Sequence, residues 1–152
     1  MSGKRPFILL VEDNQADSDL VEEAFAEANI DCHLSILRDG AQAIEFIERL
    51  DAGLSQACPD LVLLDLNLPK IGGEAVLERV RSSPKCKGVT ILIVSSSDAP
   101  TDRRRAMELG ANEYFRKPST LEQFMEFGPK VRTLLQKLHK PSVRDDRERQ
   151  IS

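Results

Sequence analysis

The chain has 152 residues, 41% hydrophobic and 30% charged, with a formal net charge of −4. That length suits one domain with a core of its own, and the composition is that of an ordinary globular protein. The acidic balance and the absence of a face-long basic run disfavour nucleic-acid binding, and the apolar run Phe7–Val11, followed by Glu12 and Asp13, is too short for a signal-peptide core or a membrane span. The simplest location is the cytoplasm.

In chain order, apolar runs alternate with amphipathic ones. Phe7 to Val11 is continuously apolar, as in a strand buried on both faces, and residues 15–28 carry a helical stripe of Leu20, Val21, Ala24, Phe25 and Ala28. His33 to Leu37 is a short strand. Asp39 then caps a helix bearing Ala43, Ile44, Ile47 and Leu50, and residues 51–60 form a loop with Gly53, Ser55 and Pro59. Leu61 to Leu64 is the next buried strand and ends on Asp65. Pro69, Gly72 and Gly73 mark a turn, and Val76, Leu77 and Val80 lie on a helix. Val89 to Val94 is a strand ending on Ser95. Pro100 opens a helix that Gly110 closes, and Tyr114-Phe115 is a short strand before Lys117-Pro118. The last helical stretch, 120–138, is interrupted by Gly128-Pro129. A proline there removes a hydrogen bond and clashes one turn back, which predicts a kink or a restart.

Five strand–helix pairs of this kind predict right-handed βαβ units, hence an α/β, doubly wound, five-stranded parallel sheet with helices on both faces. In such sheets the ligand site lies at the carboxyl ends of the strands, near the switch point. The residues expected there are Glu12-Asp13-Asn14, Asp65-Leu66-Asn67, Ser95-Ser96-Ser97 and Lys117. Crowded carboxylates stay ionised most easily around a cation, and an all-oxygen set suits Mg²⁺ or Mn²⁺. Lys117 supplies a compact positive charge and Ser95 a hydroxyl, both able to hold a phosphoryl oxygen. Asp65 is then the candidate nucleophile, since a carboxylate can form an acyl phosphate. Taken singly each residue has a plainer reading. Asp13 or Asn14 can be a helix cap, Ser95 a turn residue, and Lys117 a surface cation. Joint placement on one rim favours the site.

The remaining features read as structural. Cys32, Cys58 and Cys86 are too far apart for a zinc motif and are expected as three reduced, partly buried thiols. His33 and His139 read as ordinary surface or strand residues rather than relay histidines. Arg103-Arg104-Arg105 reads as the solvated start of a helix, or a face for an acidic partner patch.

Four segments together resemble the receiver domain of two-component response regulators, the family of the bacterial chemotaxis regulator. They are Ile8–Asn14, Asp60–Pro69 with Gly72-Gly73, Ile93–Ser97, and Gly110–Pro118, in the family's order and spacing. The resemblance covers about residues 5–138. It implies a flavodoxin-like sheet of order 2-1-3-4-5, with residues 5–139 as receiver domain and 140–152 as a polar, mobile tail. It also implies a stand-alone regulator, a signalling domain and not an enzyme, in which Asp65 accepts phosphate from a sensor histidine kinase. Glu12, Asp13, Asp65 and the backbone carbonyl of Asn67 would hold Mg²⁺. Ser95 and Lys117 would hold the phosphoryl group, Tyr114 would be the switch aromatic, and Lys117-Pro118 would be a cis bond. The fourth helix, fifth strand and last helix would form the output or homodimer face.

Three departures stand out. Glu12 occupies a position where many relatives have Asp, so its longer arm can act through water. Ser95 replaces the commoner Thr. The loop at 51–60 is longer than in the chemotaxis regulator, and with Asp65–Pro69 it resembles the small single-domain regulators serving bacterial phytochromes. The rival chemistry is a Mg²⁺-dependent phosphatase with an aspartyl-phosphate step. Such enzymes place a second Asp two residues after the nucleophile, where this chain has Asn67. A nucleotide or flavin module is also disfavoured, because no Gly-rich phosphate loop follows the first strand.

Overall fold

The structure is a computed structural model and describes residues 5–54 and 57–139, without the side chain of His139. The expectation for the tail at 140–152 lies outside the described residues. Five strands, β1 (Phe7–Val11), β2 (His33–Leu37), β3 (Leu61–Leu64), β4 (Thr90–Ser95) and β5 (Glu113–Arg116), form one sheet of order β2-β1-β3-β4-β5. Every pairing is parallel, so all five carboxyl ends share one rim. Among the described residues no helix is long and apolar enough to cross a membrane.

The continuous apolar runs have a direct cause: alternate residues of each central strand enter different cores. Leu9, Val11, Val62, Leu64, Ile91 and Ile93 face α2 (Gly40–Asp51), α3 (Gly73–Arg81) and α4 (Pro100–Glu108). Ile8, Leu10, Leu61, Leu63, Leu92 and Val94 face α1 (Gln15–Glu27), α5 (Leu121–Phe124) and α6 (Phe127–His139).

Local signals mostly act as expected. Asp39 caps α2 by accepting a hydrogen bond from the Gln42 N–H at 2.8 Å. Pro100 sits in the first turn of α4, and Gly110 follows that helix with φ of 112°. The last helical stretch does restart, but earlier than Gly128-Pro129. It breaks at Met125-Glu126, between α5 and α6, leaving Pro129 in the first turn of α6. There the missing proline N–H has no intrahelical partner to lose.

Two expectations are corrected. Cys58 and Cys86 form a disulfide, with Cα atoms 5.6 Å apart. Each precedes a strand of the adjacent β3–β4 pair, so parallel pairing brings together residues 28 apart in sequence. Only Cys32 remains a free thiol. The Lys117–Pro118 bond is trans, as is every peptide bond among the described residues. Trans is the intrinsically preferred isomer even before proline. Here Lys117 is already fixed by its N–H on the Ser95 carbonyl at 2.7 Å and by its ammonium contacts.

Candidate phosphoacceptor and metal site

The backbone ladders set the rim residues side by side. The Glu12 N–H donates to the Leu37 carbonyl at 2.9 Å, the Asp65 N–H to that of Val11 at 3.1 Å, and the Lys117 N–H to that of Ser95. Glu12, Asp65 and Ser95 are 1%, 4% and 0% exposed, whereas Asp13 lies open to solvent.

Lys117 is the hub. Its ammonium donates to Glu12 Oε1 at 2.8 Å, to Asp17 Oδ2 at 2.8 Å and to Asp65 Oδ2 at 3.3 Å. The other Asp65 oxygen, Oδ1, accepts the Asn67 N–H at 3.0 Å, and Glu12 Oε2 accepts the Asn14 N–H at 3.1 Å. Asp65 is therefore oriented through both oxygens. Gly73 makes this possible from below. A Cβ there would run into the Asp65 carbonyl oxygen and come within 2.7 Å of Leu66 Cα, so α3 starts against the backbone of the Asp65 turn.

Carboxylate oxygens of Glu12, Asp13 and Asp65 all lie within 4.8 Å of one another. With Asp17, three acids contact the one ammonium, and Asp13 lies beside two of them. Burial raises the Glu12 carboxyl to about 7; the Lys117 bond opposes this and the Asp65 charge adds to it. For Lys117, burial favours the neutral amine. The bonds to Asp17 and Glu12 and the charge of Asp65 outweigh it, and its pKa is raised. Excess negative charge on hard oxygen donors is what a divalent cation relieves, so the set fits Mg²⁺ or Mn²⁺.

Ser95 stands at the end of β4, and its hydroxyl oxygen accepts the Ser97 N–H at 3.1 Å. Ser97 in turn is tied to two further elements. Its hydroxyl donates to Asp102 Oδ2 at 2.6 Å in α4, and its carbonyl accepts the Tyr114 hydroxyl at 3.0 Å. Tyr114 is buried, with the Arg103 guanidinium 5.4 Å from its ring centroid. Arg105 pairs with Glu74 at 2.9 Å, so two of the three arginines have intramolecular partners.

The sequence expectation set Glu12, Asp13, Asp65, Asn67, Ser95 and Lys117 at the strand ends. The structure brings Glu12, Asp13, Asp65 and Lys117 together there, with Asn67 and Ser95 in the turns beside them, whereas Tyr114 lies within β5 and reaches Ser97 only through its hydroxyl. Of the two candidate caps, Asn14 is the N-cap of α1: its Oδ1 accepts the Asp17 N–H at 2.9 Å. Asp13 is left for the acidic cluster. His33 is an exposed residue of β2 whose ring lies 5.4 Å from that of Phe7, an ordinary strand contact. Two residues were missed. Asp17 reaches Lys117 from the first turn of α1. Arg38 donates to the Glu12 carbonyl at 3.3 Å and to Ser18 Oγ at 3.0 Å. An acid three residues after a cap that itself sits on the rim was the available signal for Asp17.

A doubly wound parallel sheet with its acids and a lysine gathered at the carboxyl rim places the chain among the open α/β proteins whose ligand site lies at the strand ends. Residues 8–127 match the family model described as the response regulator receiver domain, and the chain belongs to that family. It is 38% identical to the response regulator Rcp1 of Synechocystis sp. over 119 residues, 78% of this chain and 81% of that one. The crystal structure of the phosphorylated cyanobacterial phytochrome response regulator RcpA superposes with a TM-score of 0.75 at 34% identity, covering 84% of this chain and 91% of that chain. The Mn²⁺-bound form of Rcp1 superposes with a TM-score of 0.73 at 35% identity, covering 83% and 91%.

Proposed function

We propose that this receiver, residues 5–139, accepts a phosphoryl group on Asp65 from a sensor histidine kinase, of the bacterial phytochrome kind, in the cytoplasm. An Asp65 oxygen attacks the phosphorus of a phosphohistidine. The P–O bond forms, the P–N bond breaks, and the imidazole leaves as the neutral base after taking up a proton. The observation that carries this reading is the orientation of the buried Asp65 by Lys117 and the Asn67 N–H, beside Glu12 and Asp13. Both RcpA, described as phosphorylated, and Rcp1, described as Mn²⁺-bound, support it. Glu12, Asp13, Asp65 and the Asn67 carbonyl would hold Mg²⁺ or Mn²⁺, which when bound supplies positive charge to the transferring phosphoryl oxygens. Lys117 neutralises a phosphoryl oxygen, and Ser95 donates its hydroxyl to another.

The output follows from Ser95 and its neighbours. Turning the Ser95 hydroxyl to a phosphoryl oxygen withdraws it from the Ser97 N–H, and Ser97 is the residue that anchors Tyr114 and Asp102. The event thereby biases the face made by α4, β5 and the helices after it, between two arrangements. That face would then change its affinity for a partner or for a second copy of the chain.

The test is phosphotransfer from a phosphorylated histidine kinase with Mg²⁺. We expect one base-labile phosphate per chain, absent in Asp65→Asn. Label that persists in Asp65→Asn would overturn the assignment. Turnover of simple phosphate esters at many per second would favour the phosphatase reading, which Asn67 disfavours.

A further inference from the structure

Lys117 has three N–H donors, and all three are engaged by carboxylates. A phosphoryl group on Asp65 needs one of them. The three acids differ in what release would cost. The Glu12 side chain is 2% exposed and that of Asp65 6%, whereas that of Asp17 is 31% exposed. A buried carboxylate left without its cation is strongly disfavoured, while a partly exposed one is rehydrated by water. Asp17 is also at the shorter distance, 2.8 Å against 3.3 Å for Asp65, so it takes a share of the ammonium that the acceptor also contacts. The Asn14 cap accepts the Asp17 N–H and fixes its backbone in the first turn of α1.

We propose that Asp17 is a positioning residue: a releasable counter-ion that holds Lys117 in the resting site and gives it up when Asp65 carries an anionic phosphoryl group. The proposal rests on the reading of Asp65 as acceptor. Asp17 thus opposes activation, and its charge sets how readily the site takes the anion.

The test uses the full chain with Mg²⁺ and beryllofluoride, a phosphoryl mimic, titrated by ¹⁹F NMR, with the Lys117 ammonium followed by its ¹H–¹⁵N signal. Asp17→Asn should bind beryllofluoride more tightly by about three- to tenfold, the scale of one partly exposed ion pair. Its Lys117 signal before addition should already be displaced from that of the wild type. Asp17→Glu, which keeps the charge, should restore wild-type affinity. Equal or weaker binding by Asp17→Asn at an unchanged melting temperature overturns the proposal, as does Asp17→Glu behaving like Asp17→Asn. Asp65→Asn separates the two readings. Loss of beryllofluoride binding there upholds the acceptor assignment, so an indifferent Asp17→Asn then sinks only the counter-ion. Binding that survives Asp65→Asn overturns both.

Discussion

At the residue scale, the site is decided by a few groups held out of water with too few cations among them. Glu12 shows the consequence most directly. Its carboxyl is raised from 4.5 to about 7, by burial first. Between those values the metal-free folded protein holds a proton on Glu12 that the unfolded chain has released. Stability therefore falls as pH rises across that window and levels off above it, the opposite of a salt-bridged acid with a depressed pKa. Urea midpoints measured in EDTA at a series of pH values should show the wild type losing stability relative to Glu12→Gln between 4.5 and about 7. A difference that stays flat across the window would contradict the assignment. The same crowding explains why Asp65 alone carried little meaning in the sequence. As a single acid after an apolar run it fitted a turn or a cap as well, and its neighbours on the rim are what make it the proposed acceptor.

At the scale of elements, the rim depends on how tightly the turn after β3 meets α3. Gly73 allows that approach, because a side chain there would press on backbone atoms of Asp65 and Leu66 and not on a flexible side chain. Gly73→Ala should cost about 1–3 kcal/mol, the range for overpacking a close contact. It should also weaken beryllofluoride binding, because the Asp65 turn must shift. A chemical denaturation curve and a titration check the two effects, and full retention of both would show that the turn yields freely. The last helical stretch carries the reverse lesson. Gly128-Pro129 signalled a break by backbone chemistry, yet the break falls at Met125-Glu126. Phe124 and Phe127 are both buried against the core, 2% and 0% exposed, and the chain turns between them so that both rings can pack. Packing moved the boundary, and Pro129 was accommodated in a first turn.

At the scale of the molecule, the acidic cluster and Lys117 sit at the carboxyl ends of the strands while the Cys58–Cys86 disulfide ties the opposite side of the sheet, ahead of β3 and β4. Near it, Ser83 receives the Cys86 N–H at 3.0 Å and donates to Asp51 at 2.7 Å, and Arg79 pairs with Asp51 at 3.0 Å, joining the end of α2 to the end of α3. A cross-link closing a loop of 28 residues contributes about 3–4 kcal/mol by chain entropy. Reduction should lower the unfolding midpoint accordingly and raise the count of reactive thiols in the unfolded chain from one to three. Thiol labelling under denaturant, with and without reductant, checks the count. Beryllofluoride affinity should change little on reduction, because the bridge and the rim lie at opposite strand ends.

The sequence by itself determined the alternation of strands and helices, the parallel sheet, and the identity of the rim acids with Ser95 and Lys117. These follow from periodicity and from the rule that a parallel sheet presents its strand ends together, both of which are local or topological properties. Only the tertiary structure decided the Cys58–Cys86 pairing, the trans bond at Lys117-Pro118, the split of the last helix, and the place of Asp17 beside Lys117. Each of these depends on distances between residues remote in sequence, or on how packing weighs against a local preference. In the sequence Asp65 is an acid at the end of a strand. The structure shows it sharing one lysine with two other acids, and that competition for a single cation is what no spacing in the sequence displays.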